Sequence, residues 1–165
     1  MYNKLTVIIP TYNRQAYALR NMEFWNTTEV QIHILDGSSE AIPQEEIEHF
    51  NENINYHHLP VSWHDRLEAV TTFIKTEYVT FLSDDEFLSV QGVGRSIEEL
   101  EKDKDLIACC GHALNFHFDQ ELNEVFGYEI LPNIGDRSFL QNTPEERGIK
   151  LVFQEYGLPS PNDDA

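Results

Sequence analysis

A chain of 165 residues, 41% of them hydrophobic, is long enough for one domain with a substantial core and too apolar for an acidic disordered tail. Its 29 Asp and Glu against 11 Lys and Arg give a formal net charge of -18. That field opposes binding to nucleic acid or an anionic membrane surface unless a metal or a local basic patch intervenes.

The N-terminal "MYNKLTVIIP" holds a β-branched run closed by Pro10. It reads as a fully buried strand and is too short for a signal peptide. "TYNR" turns the chain, and "QAYALRNMEFW" follows with Ala18, Met22 and Trp25 at helical spacing. "VQIHILDGSS" is a second strand, stopped at Asp36-Gly37-Ser38, and acidic "PQEEIEHFNEN" is a short surface helix or loop. "INYHHLP" is a third strand. Ser62 and Asp65 form a capping pair for a helix whose apolar face is Leu67, Val70 and Ile74.

"YVTF" is a buried strand that runs into Ser83-Asp84-Asp85-Glu86. "SVQGVGRSIEELEKDK" is a helix buried through Val93, Ile97 and Leu100. "DLIACCGHALNFHF" is one long strand, in which Cys109 and Cys110 are small core residues of a reducing compartment. The pattern weakens after Asp119, until Thr143-Pro144-Glu145-Glu146 caps a last helix with Ile149, Val152, Phe153 and Tyr156 on its face, stopped by Gly157 and Pro159. No stretch reaches the apolar length of a membrane span, and a cytoplasmic location is expected. The chain divides into an α/β core over 1–118 and an irregular remainder over 119–165, read together as one compact domain.

Alternating strands and helices predict βαβ units and a mostly parallel sheet flanked by helices, whose ligands bind beyond the carboxyl ends of the strands. Three such ends are polar: Thr11 to Arg14, Asp36 to Ser38 and Ser83 to Glu86. Asp84, Asp85 and Glu86 offer hard oxygens to Mg²⁺ or Mn²⁺, or form only an acidic turn. Asp36 is a base-reading acceptor or an αL-permissive Asp-Gly turn. Tyr12 stacks on a base or packs. Arg66 is a surface cation or one of few basic groups placed near a phosphate or base. His57 and His58 alternate along a strand, so a shared zinc is not expected. No GxxxxGK[ST], GxGxxG or GxSxG motif is present.

"LTVIIPTYNR", "ILDGSS" and "YVTFLSDDEF", in that order, resemble the family 2 glycosyltransferases of the GT-A fold, over roughly Lys4 to Phe118. The resemblance implies a GT-A-like, Rossmann-like sheet, a nucleotide-sugar donor, usually a UDP-sugar, and a hydroxyl acceptor on a glycan or other molecule. It implies that Pro10, Thr11, Tyr12 and Arg14 line the nucleotide pocket, that Asp36 bonds the base and that Arg66 approaches the nucleotide. Asp84, Asp85 and Glu86 would form the DXD-type motif for Mg²⁺ or Mn²⁺, with Asp84 also near the nucleotide and Asp85 the direct metal ligand. Ser83 stands where the family often has an acid. Such domains usually run longer, and none of Glu129, Asp136, Glu145 and Glu155 recommends itself as the catalytic base. The expectation is a metal-dependent glycosyltransferase that passes the sugar to the acceptor hydroxyl, this chain being its donor-binding half with part of the acceptor side over 119–165. The alternative is a non-catalytic nucleotide-sugar-binding or regulatory module, or a fragment lacking the catalytic base. Nucleotidyl transfer fits less well, because "TYNR" lacks the Gly-rich basic loop that chemistry asks for.

Overall fold

The computed structural model describes residues 1–118 and 125–130, with Thr143 and Glu146. Two compact units divide the chain, Met1–Cys109 and Cys110–Ala165.

The first unit is built on four parallel strands in the order β3-β2-β1-β4. They are β1 (Leu5–Thr11), β2 (Gln31–Asp36), β3 (Ile54–His58) and β4 (Tyr78–Phe81). Helices α1 (Gln15–Trp25), α2 (Gln44–Ile47), α3 (Trp63–Thr71) and α4 (Val90–Lys102) connect or follow them. The largely apolar make-up of β1 and β2, in which Thr6 and His33 are buried polar exceptions, follows from their central places, since a strand covered on both faces has no solvated side. One face carries Val7, Ile9, Ile32 and Ile34, covered by Met22 and Trp25 of α1 and Val93 and Ile97 of α4. The other carries Ile8 and Leu35 under Val70 of α3.

Helices α3 and α4 each begin at a serine cap. Ser62 accepts from Asp65 N at 3.2 Å, and its hydroxyl donates to the Asp65 carboxylate at 2.7 Å. Ser89 accepts from Gly92 N at 3.3 Å at the start of α4. The face expected for α4 is buried at Val93 and Ile97, with Leu100 half-buried. Of the apolar face expected for α3, only Val70 is fully buried; Leu67 is partly covered, as is Ile74, which lies past the end of the helix.

Two strand expectations are corrected. Among the described residues β4 lies at the edge of the sheet, alternately exposed and half-buried rather than buried. Val79 and Phe81 are 49% and 55% exposed, because they extend the Thr6–Ile8 side of β1 beyond the part that α3 covers. The long strand is only Leu114–Phe118, here β5, paired antiparallel with β6 (Val125–Ile130) in a separate two-stranded ladder. The preceding residues find no ladder partner among the described residues, so they are not strand. Cys109 and Cys110 accordingly lie exposed and reduced, not in a core.

In the second unit, the expected cap forms. Thr143 N donates to Glu146 Oε2, and Glu146 N to Thr143 Oγ1, each at 3.1 Å. Ile149, Val152, Phe153 and Tyr156 lie outside the described residues. No helix among the described residues is long and apolar enough to cross a membrane.

Candidate functional site

The parallel register brings three polar strand ends together. Thr11 pairs with Asp36 across β1 and β2, and Leu82, just past β4, donates to Ile8 O at 3.0 Å. A concavity of about 290 Å³ opens there, lined by Pro10, Thr11, Tyr12, Arg14, Arg66 and Asp84, and also by Trp63 and Ser83. Six of the residues expected from sequence thus share one cavity wall. The chain leaves β1 through Asn13, whose φ of 54° is left-handed, a conformation that Asn tolerates better than most residues. Asn13 N is held by Ser38 Oγ at 2.8 Å, which ties the first two polar ends to each other.

The acid turn is fixed from α1. Asp84 is buried, and its carboxylate accepts from Thr11 Oγ1 at 2.7 Å and Arg14 Nη1 at 3.0 Å. Its carbonyl accepts from Asn21 Nδ2 at 2.7 Å, which explains a fully buried Asn on the apolar face of α1. Arg20 donates to the same carbonyl at 3.4 Å and lies over the rings of Tyr17 and Phe87. Asp85 accepts from Ser83 Oγ at 2.6 Å and Arg14 Nη2 at 3.0 Å. The Ser83 hydroxyl first, then Arg14, holds its carboxyl below the usual range. Glu86 is exposed, with its N–H on Ser83 O at 3.1 Å.

Adjacent acids are therefore tolerated because one guanidinium bridges two of them. Arg14 is kept in place by stacking on Tyr17, 4.3 Å from the ring centroid. Among the described residues no three His, Cys, Asp or Glu side chains form a ready metal cage. Two carboxylates that already converge on one cation nevertheless fit Mg²⁺ or Mn²⁺, which take one or two carboxylates and fill the remainder with water and phosphate oxygens. Asp84 and Asp85 would hold such an ion; Glu86 does not join them on Arg14.

Asp36 is fully buried and does not line the concavity. Its carboxylate accepts from Ser38 N at 2.8 Å, Ser38 Oγ at 2.5 Å and Tyr56 OH at 2.7 Å. Burial first, then the bond to Asp36, raises the Tyr56 hydroxyl well above its usual pKa. Gly37 accommodates a close approach of the Arg66 side chain rather than a left-handed φ. A Cβ there would sit 2.5 Å from Arg66 Cζ.

Arg66 is no surface cation. It is 7% exposed, and its Nη1 donates to Thr11 O at 3.0 Å and Leu35 O at 3.1 Å, clamping the ends of β1 and β2. Its Nε is buried without a partner. Its guanidinium lies over Trp63, 5.4 Å from the ring centroid. Trp63 escaped the sequence reading because a single aromatic at a helix start has no periodicity to mark it.

The model for the family described as "Glycosyl transferase family 2" matches residues 6–149. No curated protein matches the chain.

Proposed function

The chain belongs to glycosyl transferase family 2, and we propose that its concavity takes a nucleoside-diphosphate sugar, a UDP-sugar by preference, together with Mg²⁺ or Mn²⁺, for transfer of the sugar to an acceptor hydroxyl. The observation that carries this reading is the convergence of Asp84 and Asp85 on a cation, beside Tyr12 at the carboxyl end of a parallel sheet. A chain of net charge -18 repels a free diphosphate, so its donor site needs positive charge at that point.

The chain's own residues divide the work. Tyr12, 61% exposed on the concavity wall, offers a stacking face to the base. Arg66 and Ser38 fix the loops that shape the base end. Asp36, buried and outside the concavity lining, sets the Ser38 turn; the base-reading role is the one the family resemblance gives it. Arg14, 40% exposed, could exchange its carboxylates for diphosphate oxygens, because both offer paired oxygens to the planar fork of a guanidinium. A bound divalent ion would neutralise the diphosphate and ease its departure as a leaving group.

Calorimetry with UDP tests the reading. Binding is expected with Mn²⁺ or Mg²⁺ and much weaker binding with EDTA. Equal binding in both conditions removes the metal from the site, and no binding in either removes the nucleotide.

A further inference from the structure

We propose that Trp63 is a base-recognition residue, its exposed indole serving as a platform for the planar ring of the nucleotide. The proposal rests on the nucleotide-sugar reading above and adds a residue that the acidic and loop motifs do not contain.

Exposure alone does not distinguish Trp63, since Val61 and Phe73 are exposed to a similar degree. Large apolar groups on a surface are ordinary. Three further observations separate it from them. Trp63 lines the same concavity as Tyr12, so two exposed aromatic side chains, 46% and 61% accessible, meet one cavity. It sits at the first position of α3, directly after the Ser62 cap, so its backbone is held at the start of a helix. Its ring is also oriented by Arg66, and that guanidinium is fixed on the carbonyls of Thr11 and Leu35. The indole is thus held before any ligand arrives, which lowers the ordering penalty of stacking.

A platform of this kind has a defined selectivity. Every base has a π-face, so stacking strengthens binding of nucleotides in general and discriminates little among bases. It contributes nothing to a diphosphate that lacks a base. Removing one stacking aromatic weakens base binding by roughly 5- to 150-fold.

The test uses the whole chain with Mn²⁺ and two probes, UDP and inorganic diphosphate. Trp63→Ala is expected to weaken UDP by roughly 5- to 150-fold while leaving inorganic diphosphate unchanged, and Trp63→Phe to restore most of the UDP affinity. Fluorescence supplies a second readout. The other tryptophan, Trp25, is fully buried, so iodide quenching reports on Trp63, and UDP should protect it. Four results overturn the proposal. If Trp63→Ala binds UDP as wild type does, Trp63 is no platform and the nucleotide reading stands. A parallel fall for UDP and inorganic diphosphate marks a structural effect on Arg66 instead. Iodide quenching that UDP leaves unchanged places the indole off the base. If the wild-type chain binds no UDP, both readings fail together.

Discussion

Arg14 and Asp84 are joined by a 3.0 Å ion pair whose cation is 40% exposed and whose anion is 5% exposed. The carboxylate is fixed, and the guanidinium is the part able to leave. A divalent ion entering the site competes with Arg14 for both Asp84 and Asp85. Arg14→Gln should therefore bind Mn²⁺ alone severalfold more tightly than wild type, since a half-exposed pair contributes on the order of 1 kcal/mol. The same variant should bind UDP with Mn²⁺ more weakly, having lost a cation for the diphosphate. A Mn²⁺ titration followed by the resonance signal of the free ion checks the first expectation. Unchanged or weaker metal binding would show that these carboxylates are not the ligands.

Asp36→Ala should lower both stability and UDP affinity. It removes the acceptor of two buried hydrogen bonds from Ser38 and one part-buried bond from Tyr56, leaving the Ser38 amide without its acceptor and the Tyr56 hydroxyl with only the Ile42 amide. Charge-assisted bonds contribute about 1.5–3 kcal/mol each and are not additive, so a loss on the order of 3 kcal/mol is expected. Urea melts measure it. Calorimetry below the unfolding transition then isolates the base contact, and affinity that holds per folded molecule limits Asp36 to the loop.

Gly37→Ala should destabilise through Arg66. The added Cβ would stand 2.5 Å from Cζ and 2.6 Å from Nη1, so the guanidinium must leave the Thr11 and Leu35 carbonyls or the loop must move. Overpacking of this kind costs about 1–3 kcal/mol. In a double-mutant cycle, Gly37→Ala should cost much less in an Arg66→Ala background. Equal costs in the two backgrounds would show that the clash is not with Arg66.

Acid should destabilise the sheet at His33 and His57. His33 Nδ1 and His57 Nε2 lie 2.8 Å apart, one donating and one accepting, with Phe73 stacked on His57. Burial, then the neighbouring His57, lowers the His33 pKa to about 4, and burial lowers His57. The folded state binds fewer protons than the unfolded one. Stability is therefore complete above the unfolded value of about 6.5 and is lost as pH falls toward the folded values. Melts at pH 7.5 and 5 should differ by on the order of 1–2 kcal/mol from this pair. His57→Gln, which keeps a hydrogen-bonding partner for His33, should flatten that dependence. A slope that persists unchanged would assign the acid sensitivity to the carboxylates.

Local chemistry made much of the fold readable from sequence. The apolar run at Val7–Ile9, and that at Ile32–Leu35 broken only by His33, marked central parallel strands, because covered strands need little polar side. Ser62 and Thr143 marked helix starts, because a side-chain oxygen satisfies a free amide two or three residues on. The polar strand ends at Thr11, Asp36 and Ser83 were legible for the same reason, since turns interrupt periodicity. Other outcomes depended on neighbours far away in the chain. Arg66 is buried only because the carbonyls of Thr11 and Leu35, 55 and 31 residues distant, converge on it. β4 is half exposed, and the Cys109–Cys110 segment is no strand, because pairing and cover are supplied by other segments rather than by propensity. The sequence by itself determined which elements form and which residues end them, as these choices depend on hydrogen bonds within a few residues. Only the tertiary structure decided that Arg14 bridges Asp84 and Asp85, that Asp36 is enclosed, and that Trp63 joins Tyr12 at one cavity, because each requires a distance between residues that no local spacing fixes.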